Sequence, residues 1–125
     1  MLKNQIFKNI DDERPLLSIC ISTFNRAKWL ELSLKNLRKI FKENIKEIEI
    51  LICDNASVDN TEEIVNKYIN ILDIKYYKNK KNVGMIGNLS VTASLAKGDY
   101  IWILGDDDLI LEETPGLILN EIINN

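Results

Sequence analysis

This 125-residue sequence reads as an α/β protein, with a mainly parallel sheet flanked by helices. Three features carry that reading. Short apolar, β-branched runs alternate with longer segments whose apolar residues recur every three or four positions. The alternation runs strand then helix, repeated along the whole chain, which calls for parallel strands joined by right-handed helical crossovers. Polar clusters stand directly after the apolar runs, where open sheets of this class bind their ligands.

The first run, Leu16 to Ser22, suits a buried strand. A helix follows, with Ala27, Leu30, Leu34, Leu37 and Phe41 on one face and Asn25 as the expected N-cap. Ile48 to Cys53 is a second strand. Asp59, with Glu62 three residues later, predicts the cap of a second helix that buries Ile64, Val65, Tyr68 and Ile69. Ile74 to Tyr77 is a third strand, ending in a polar turn rich in Lys and Asn. Met85 to Ala96 forms a third helix, with Gly98 as its expected stop. Tyr100 to Leu104 is the fourth strand, and Thr114-Pro115 opens a last helix to about Ile123.

Length argues for one domain, 16–125, behind an N-terminal extension, 1–15. Hydrophobic residues at 46% and charged residues at 28% are the balance of a globular protein, and the 20 Ile argue against disorder. The net charge of −3 argues against a nucleic-acid partner. No apolar run approaches the ~20 residues of a membrane span. The first residues are too polar for a signal peptide, so the expected location is the cytoplasm, peripheral to the inner membrane face at most. Cys20 and Cys53 lie in apolar runs and read as reduced core thiols. Histidine is absent, which excludes His-dependent triads and His-ligated zinc. The abundance of Lys and Asn reads as compositional bias, not as a site.

Four polar clusters are expected to share one rim: Ser22 to Arg26, Asp54 to Ser57, Asn82 to Asn88 and Gly105 to Asp108. In an extended segment Asp106 and Asp108 project to the same side, so they can share a hard divalent cation. The alternative is a solvated acidic turn. Asp54 can form an Asx-turn or accept a base N–H. Arg26 is a solvated first-turn residue or a phosphate contact. Gly84 supplies a turn, and Asn88 lies on the first turns of the third helix, where its plainest reading is an amide facing solvent. Lys75, Lys78, Lys80 and Lys81 read as a solvated edge, and Trp29 and Trp102 as packing residues.

STFNR (22–26), ILICDNASVDNT (50–61), NVGMIGN (82–88) and KGDYIWILGDDD (97–108), in this order, resemble the N-terminal half of a family 2 glycosyltransferase of the GT-A fold. The resemblance implies a Rossmann-like nucleotide-binding half. It implies that Thr23, Phe24 and Arg26 line the nucleotide pocket, that Asp54 contacts the base, and that Gly84 and Asn88 belong to the nucleotide-side loop and helix. Asp106 and Asp108 match the ends of the DxD motif, the first near ribose or metal and the last on Mn²⁺ or Mg²⁺. The implied donor is a nucleotide-sugar, a UDP-sugar first of all, and the implied acceptor is a glycan or lipid-linked glycan. Only 17 residues follow Asp108, and Glu112, Glu113 and Glu121 do not match the family's catalytic base by position. The chain therefore reads as a donor-binding half without its acceptor half, with little or no transfer activity alone and a possible homodimer. Two other readings stay open: a non-catalytic nucleotide-binding module, and a receiver-like signalling domain.

Overall fold

The computed structural model describes residues 14–42 and 46–124. Nearly all of the expected N-terminal extension, residues 1–13, lies outside the described residues. The elements are β1 (Leu17–Thr23), α1 (Ala27–Ile40), β2 (Ile48–Asp54), α2 (Thr61–Tyr68), β3 (Ile74–Lys78), α3 (Gly84–Leu95), β4 (Tyr100–Gly105) and α4 (Thr114–Asn124). The strands form one parallel sheet in the order β3-β2-β1-β4. This is the order of a Rossmann-type half, whereas receiver-like domains run 2-1-3-4-5. The topology thus removes the receiver reading. The order reverses between β1 and β4, so the switch-point crevice opens beyond Thr23 and Gly105.

Period-two alternation sorts the strand residues onto two faces. Leu17, Ile19 and Ile21 of β1 join Ile50, Ile52, Ile74 and Leu104 on one face. That face is covered by Leu30, Leu34 and Leu37 of α1, by Ile64 and Val65 of α2, and by Ile118, Leu119 and Ile122 of α4. The other face holds a smaller cluster, Cys20, Leu51 and Cys53, packed against Leu95 and Ala96 at the end of α3. Both cysteines are free and buried, as core thiols should be. Burial, helped by the nearby Glu49 carboxylate, pushes the Cys20 thiol up to about 12, which keeps it protonated and inert.

The capping arrangement differs from the sequence reading. Asn25 does not cap α1; it takes a left-handed φ of 51° and its Oδ1 accepts the Val58 N–H. The Ala27 N–H of α1 is instead taken by Asp59 Oδ2 at 3.1 Å, across from the next loop. Asp59 Oδ1 accepts the Thr61 N–H and hydroxyl, so one carboxylate serves the first turns of two helices. Burial would raise its pKa, but these hydrogen bonds outweigh that and hold it below the usual range. Gly98 is not the residue after the helix end; α3 stops at Leu95, and Ala96 is already extended. Gly98 is there for close approach: a Cβ would lie 2.6 Å from Ser18 N and Oγ.

Glu49 is a buried charge inside what reads as an apolar strand. Its Oε2 accepts the Ser18 hydroxyl at 2.5 Å and the Lys97 N–H at 2.6 Å, and Lys75 Nζ lies 3.1 Å from Oε1. Ser18 Oγ in turn accepts the Gly98 N–H, so this cluster ties β1, β2, β3 and the lead into β4 together. On the β4 side the sheet is poorly covered: Tyr100, Ile101, Ile103, Leu109, Leu111 and Leu117 are exposed. Among the described residues no helix is long and apolar enough to cross a membrane.

Candidate functional site

The four polar clusters do meet, at the carboxyl ends of the strands. Thr23, buried at the end of β1, donates its hydroxyl to Asp106 Oδ2 at 2.9 Å, bridging the switch point to β4. Arg26 reaches the same carboxylate, with Nε 3.0 Å from Asp106 Oδ1 and Nη2 3.0 Å from Asp107 Oδ2. The loop after β1 also locks to the loop after β2, since the Asn25 N–H donates to Ser57 Oγ at 2.8 Å. Phe24 stands 41% exposed at this rim.

The acidic triplet does not continue the strand. Asp106 and Asp107 form a turn, closed by the Asp108 N–H on the Gly105 carbonyl at 3.1 Å. Asp108 Oδ2 folds back onto the Gly105 N–H at 2.9 Å. The same-side projection expected of an extended segment is therefore replaced by a turn, closed at both ends between Gly105 and Asp108, with Arg26 spanning Asp106 and Asp107. Helix α1 holds this turn from below. Ser33, buried on the helix, donates to the carbonyls of Asp106 and Asp108 at 2.8 and 3.1 Å. Asn36 exchanges two hydrogen bonds with the Ile110 backbone. The sequence offered a faint signal for these contacts, a serine on the apolar stripe of the helix.

Asp54 is fully buried at the end of β2. Its Oδ1 accepts the Ser57 N–H at 2.9 Å, three residues on, which is the bond of a cap and not of an Asx-turn, and its Oδ2 accepts the Tyr76 hydroxyl at 2.5 Å. Burial, the bond to Asp54 and the surrounding carboxylates push the Tyr76 phenol well above its ordinary range. Ala56, inside this loop, has a φ of 67°, a strained value for a residue with a Cβ.

Asn88 is a buried bracket, not a surface amide. It donates to Ser22 Oγ at 2.5 Å and to the Cys53 carbonyl at 3.0 Å, and accepts from Asn79 Nδ2 at 2.8 Å. Asn55, which the sequence reading placed in a rim cluster without a role of its own, is the hub beside it. Its amide group donates to Asn82 Oδ1 and the Gly84 carbonyl, and its oxygen accepts from Asn79 and from the Val83 N–H. Gly84 has a φ of 81° with open space around it, as its turn requires. The Asn-rich composition taken as bias thus includes a network that fixes the loop before α3. Lys75 and Lys78 pair with Glu49 and Glu62, while Lys80 and Lys81 are exposed, in keeping with a solvated edge. Trp102 packs against the core. Trp29 does not: it is 46% exposed, its ring centroid 6.0 Å from Arg26 Cζ and 5.8 Å from Lys28 Nζ.

The family description "Glycosyl transferase family 2" matches residues 18–125. The chain belongs to that family. It is 40% identical over 105 residues to abequosyltransferase RfbV of Salmonella typhimurium, covering 82% of this chain and 31% of RfbV. It is 33% identical over 99 residues to a GalNAc(5)-diNAcBac-PP-undecaprenol β-1,3-glucosyltransferase of Campylobacter jejuni, covering 78% of this chain and 32% of that enzyme. The chain thus spans about a third of the length of these curated relatives. Among solved structures, Staphylococcus aureus TarS in complex with UDP superposes with a TM-score of 0.78 at 28% identity, covering 86% of this chain and 32% of that one. The mannosyltransferase PcManGT of Pyrobaculum calidifontis, in complex with GDP-Man and Mn²⁺, shares the fold with a TM-score of 0.71 at 22% identity, over 91% of this chain and 35% of that one. The GT-A-type donor half expected from the sequence is the fold found.

Among the described residues no three acidic, histidine or cysteine side chains gather closely enough to hold a metal ion by themselves, but the oxygens of the β4 turn are of the hard type that a divalent cation takes. Asp106, Asp107 and Asp108 offer carboxylate oxygens on a single turn, and Asp106 is 8% exposed, at the floor of the rim.

Proposed function

We propose that this chain is the donor-binding part of a glycosyltransferase that moves a sugar from a nucleotide-sugar to a glycan or lipid-linked acceptor. The observation that carries this reading is the Thr23–Asp106–Arg26 contact at the topological switch point of a family 2 sequence. Open α/β sheets bind nucleotides in that crevice.

In this reading Thr23, Phe24 and Arg26 line the nucleotide pocket, and Arg26 lies at the N-terminus of α1, where anions are favoured. Asp54 is assigned to the base by its place at the end of β2; its carboxylate is fully buried on Ser57 and Tyr76, so a base N–H reaches it only when that cover shifts. Gly84 lets the loop before α3 approach the nucleotide. Asn88 serves the donor by holding the ends of β1 and β2 in register. Asp106 and Asp108 would hold Mn²⁺ or Mg²⁺ through oxygen ligands. Such a cation, when bound, offsets charge on the donor diphosphate and helps the nucleotide leave. We assign no catalytic base: Glu112, Glu113 and Glu121 are all exposed on or beside α4. A UDP-sugar donor is supported by the likeness to TarS, whose structure contains UDP. A lipid-linked acceptor is in keeping with the name of the Campylobacter relative, which carries undecaprenol.

A thermal-shift panel of UDP-, GDP-, CDP- and dTDP-sugars, with and without Mn²⁺, tests the reading. A bound ligand raises apparent stability by mass action. One nucleotide class should stabilise the chain, more so with Mn²⁺. No shift with any donor would remove the donor-binding role. The alternative, a non-catalytic nucleotide-binding module, predicts the same binding but no sugar transfer by the longest natural form of the protein.

A further inference from the structure

We propose that Arg26 is a built-in countercation. It neutralises Asp106 and Asp107 while no metal is bound, and it gives up Asp106 when a divalent cation arrives with the donor diphosphate. The inference rests on the metal-assisted donor binding proposed above.

The geometry is that of an occupied carboxylate pair. Arg26 places Nε 3.0 Å from Asp106 Oδ1 and Nη2 3.0 Å from Asp107 Oδ2, so one guanidinium spans two adjacent residues. Asp106 is buried, and its other oxygen already accepts the Thr23 hydroxyl. An unpaired carboxylate at that depth is costly, and adjacent carboxylates repel, so a permanent cation is the simplest resting partner. A guanidinium stays charged at any physiological pH. A divalent cation on the same Asp106 oxygen would meet that positive charge within hydrogen-bond distance, so both cannot hold it together.

The arginine is also placed to move. Its side chain is 42% exposed, and it sits where α1 begins, beside the exposed Trp29 ring. A diphosphate entering the crevice brings the negative charge that a released guanidinium needs. Metal and diphosphate then bind together better than either binds alone. Whatever factor diphosphate gives to metal affinity, metal must return to diphosphate affinity. In this arrangement Arg26 suppresses binding of the free metal and strengthens binding of the metal–nucleotide pair.

The experiment is Mn²⁺ binding, read by electron paramagnetic resonance of free Mn²⁺, without nucleotide and with UDP. The proteins are the 125-residue chain and its Arg26→Gln, Arg26→Lys and Asp106→Asn variants. Arg26→Gln should bind Mn²⁺ alone tighter, by several-fold to roughly tenfold, as expected for loss of one half-exposed competing charge. The mutual enhancement between UDP and Mn²⁺ should shrink in the same variant. If Arg26→Gln fails to fold, Arg26→Lys carries the test, since lysine keeps a charge but cannot span both carboxylates. In a Trp102→Phe background, where Trp29 is the remaining tryptophan, Mn²⁺ with UDP should change the emission of the Arg26 protein and not of Arg26→Gln. Equal or weaker binding of Mn²⁺ alone by Arg26→Gln and Arg26→Lys, with UDP-assisted binding intact and Asp106→Asn defective, would overturn the countercation role and leave the metal site standing. Absence of Mn²⁺ binding in every form, with and without UDP, would overturn the metal reading and this proposal with it.

Discussion

Replacing Glu49 tests whether a buried charge far from the rim holds the sheet together. The carboxylate is 7% exposed and concentrates two donors, the Ser18 hydroxyl and the Lys97 N–H, on Oε2. In Glu49→Gln a correctly oriented amide oxygen keeps both bonds, but as a neutral acceptor. A hydrogen bond to a charged group is worth ~1.5–3 kcal/mol against ~1 for a neutral one, so the two bonds together lose about 2 kcal/mol. The half-exposed Lys75 now faces an NH₂ group, which adds at most about 1 kcal/mol. The expected cost is therefore ~2–3 kcal/mol, a sizeable share of the ~5–15 kcal/mol that holds a domain folded. Glu49→Ala should cost more, ~3–5 kcal/mol, because the Lys97 N–H and Lys75 lose their partner. The effect should also depend on pH. Burial alone would raise the Glu49 pKa, but the bonds from Ser18, the Lys97 N–H and Lys75 outweigh it and hold it below the ordinary value. A lowered folded-state pKa means the stabilisation is complete above the unfolded-state pKa and is lost as pH falls through the folded one. The gap between wild type and Glu49→Gln, measured by urea unfolding, should thus be widest at neutral pH and narrow in acid. A gap under about 1 kcal/mol at pH 7, where two charge-assisted bonds should count in full, would refute the argument. So would a gap that does not change down to acid unfolding.

Four further outcomes are expected. Ser33→Ala should cost about 1–2 kcal/mol in urea unfolding and weaken Mn²⁺-dependent UDP binding in calorimetry, because the hydroxyl holds two carbonyls of the acidic turn. Ala56→Gly should raise stability by about 0.5–1 kcal/mol, since a Cβ at φ 67° is strained and glycine is not; a lower midpoint would count against strain. Asp54→Asn should reduce affinity for the preferred nucleotide roughly ten- to a hundredfold and for other bases less, read by the donor panel; an unchanged base preference would leave Asp54 as a turn residue only. The exposed Ile101 and Ile103 on β4 should favour association, and Ile101→Lys with Ile103→Lys should shift the chain toward monomer in sedimentation velocity; an already monomeric wild type would contradict this.

The strands, helices and their alternation were legible in the sequence because their periods are local: two for strands and 3.6 for helices, each written in apolar spacing over a few residues. The GT-A class was legible for the same reason, since three of the motifs run through the end of a strand and the fourth opens a helix. The convergence of four polar clusters followed from that placement alone. The partners within the clusters did not, because they are set by residues distant in sequence and adjacent in space. Asn25 looked like the cap of its own helix, but Asp59 from the next loop takes the first N–H of α1. The aspartate triplet looked extended, but it forms a turn, spanned by a guanidinium from the β1 loop and held by a hydroxyl from α1. Asn55 and Asn82 were expected at the rim without partners, Asn79 looked like composition and Asn88 like surface, until the ends of β1, β2 and β3 came together around them. Glu49 carried no local signal, and the local signal of Gly98 pointed to a helix stop. One is a buried charge whose donors come from β1, β3 and the α3–β4 connection, and the other is a missing side chain where two backbones meet. Local periodicity determined the elements; only tertiary structure decided which polar groups satisfy one another, because a buried polar group is tolerated by its partners in space, not by its neighbours in the chain.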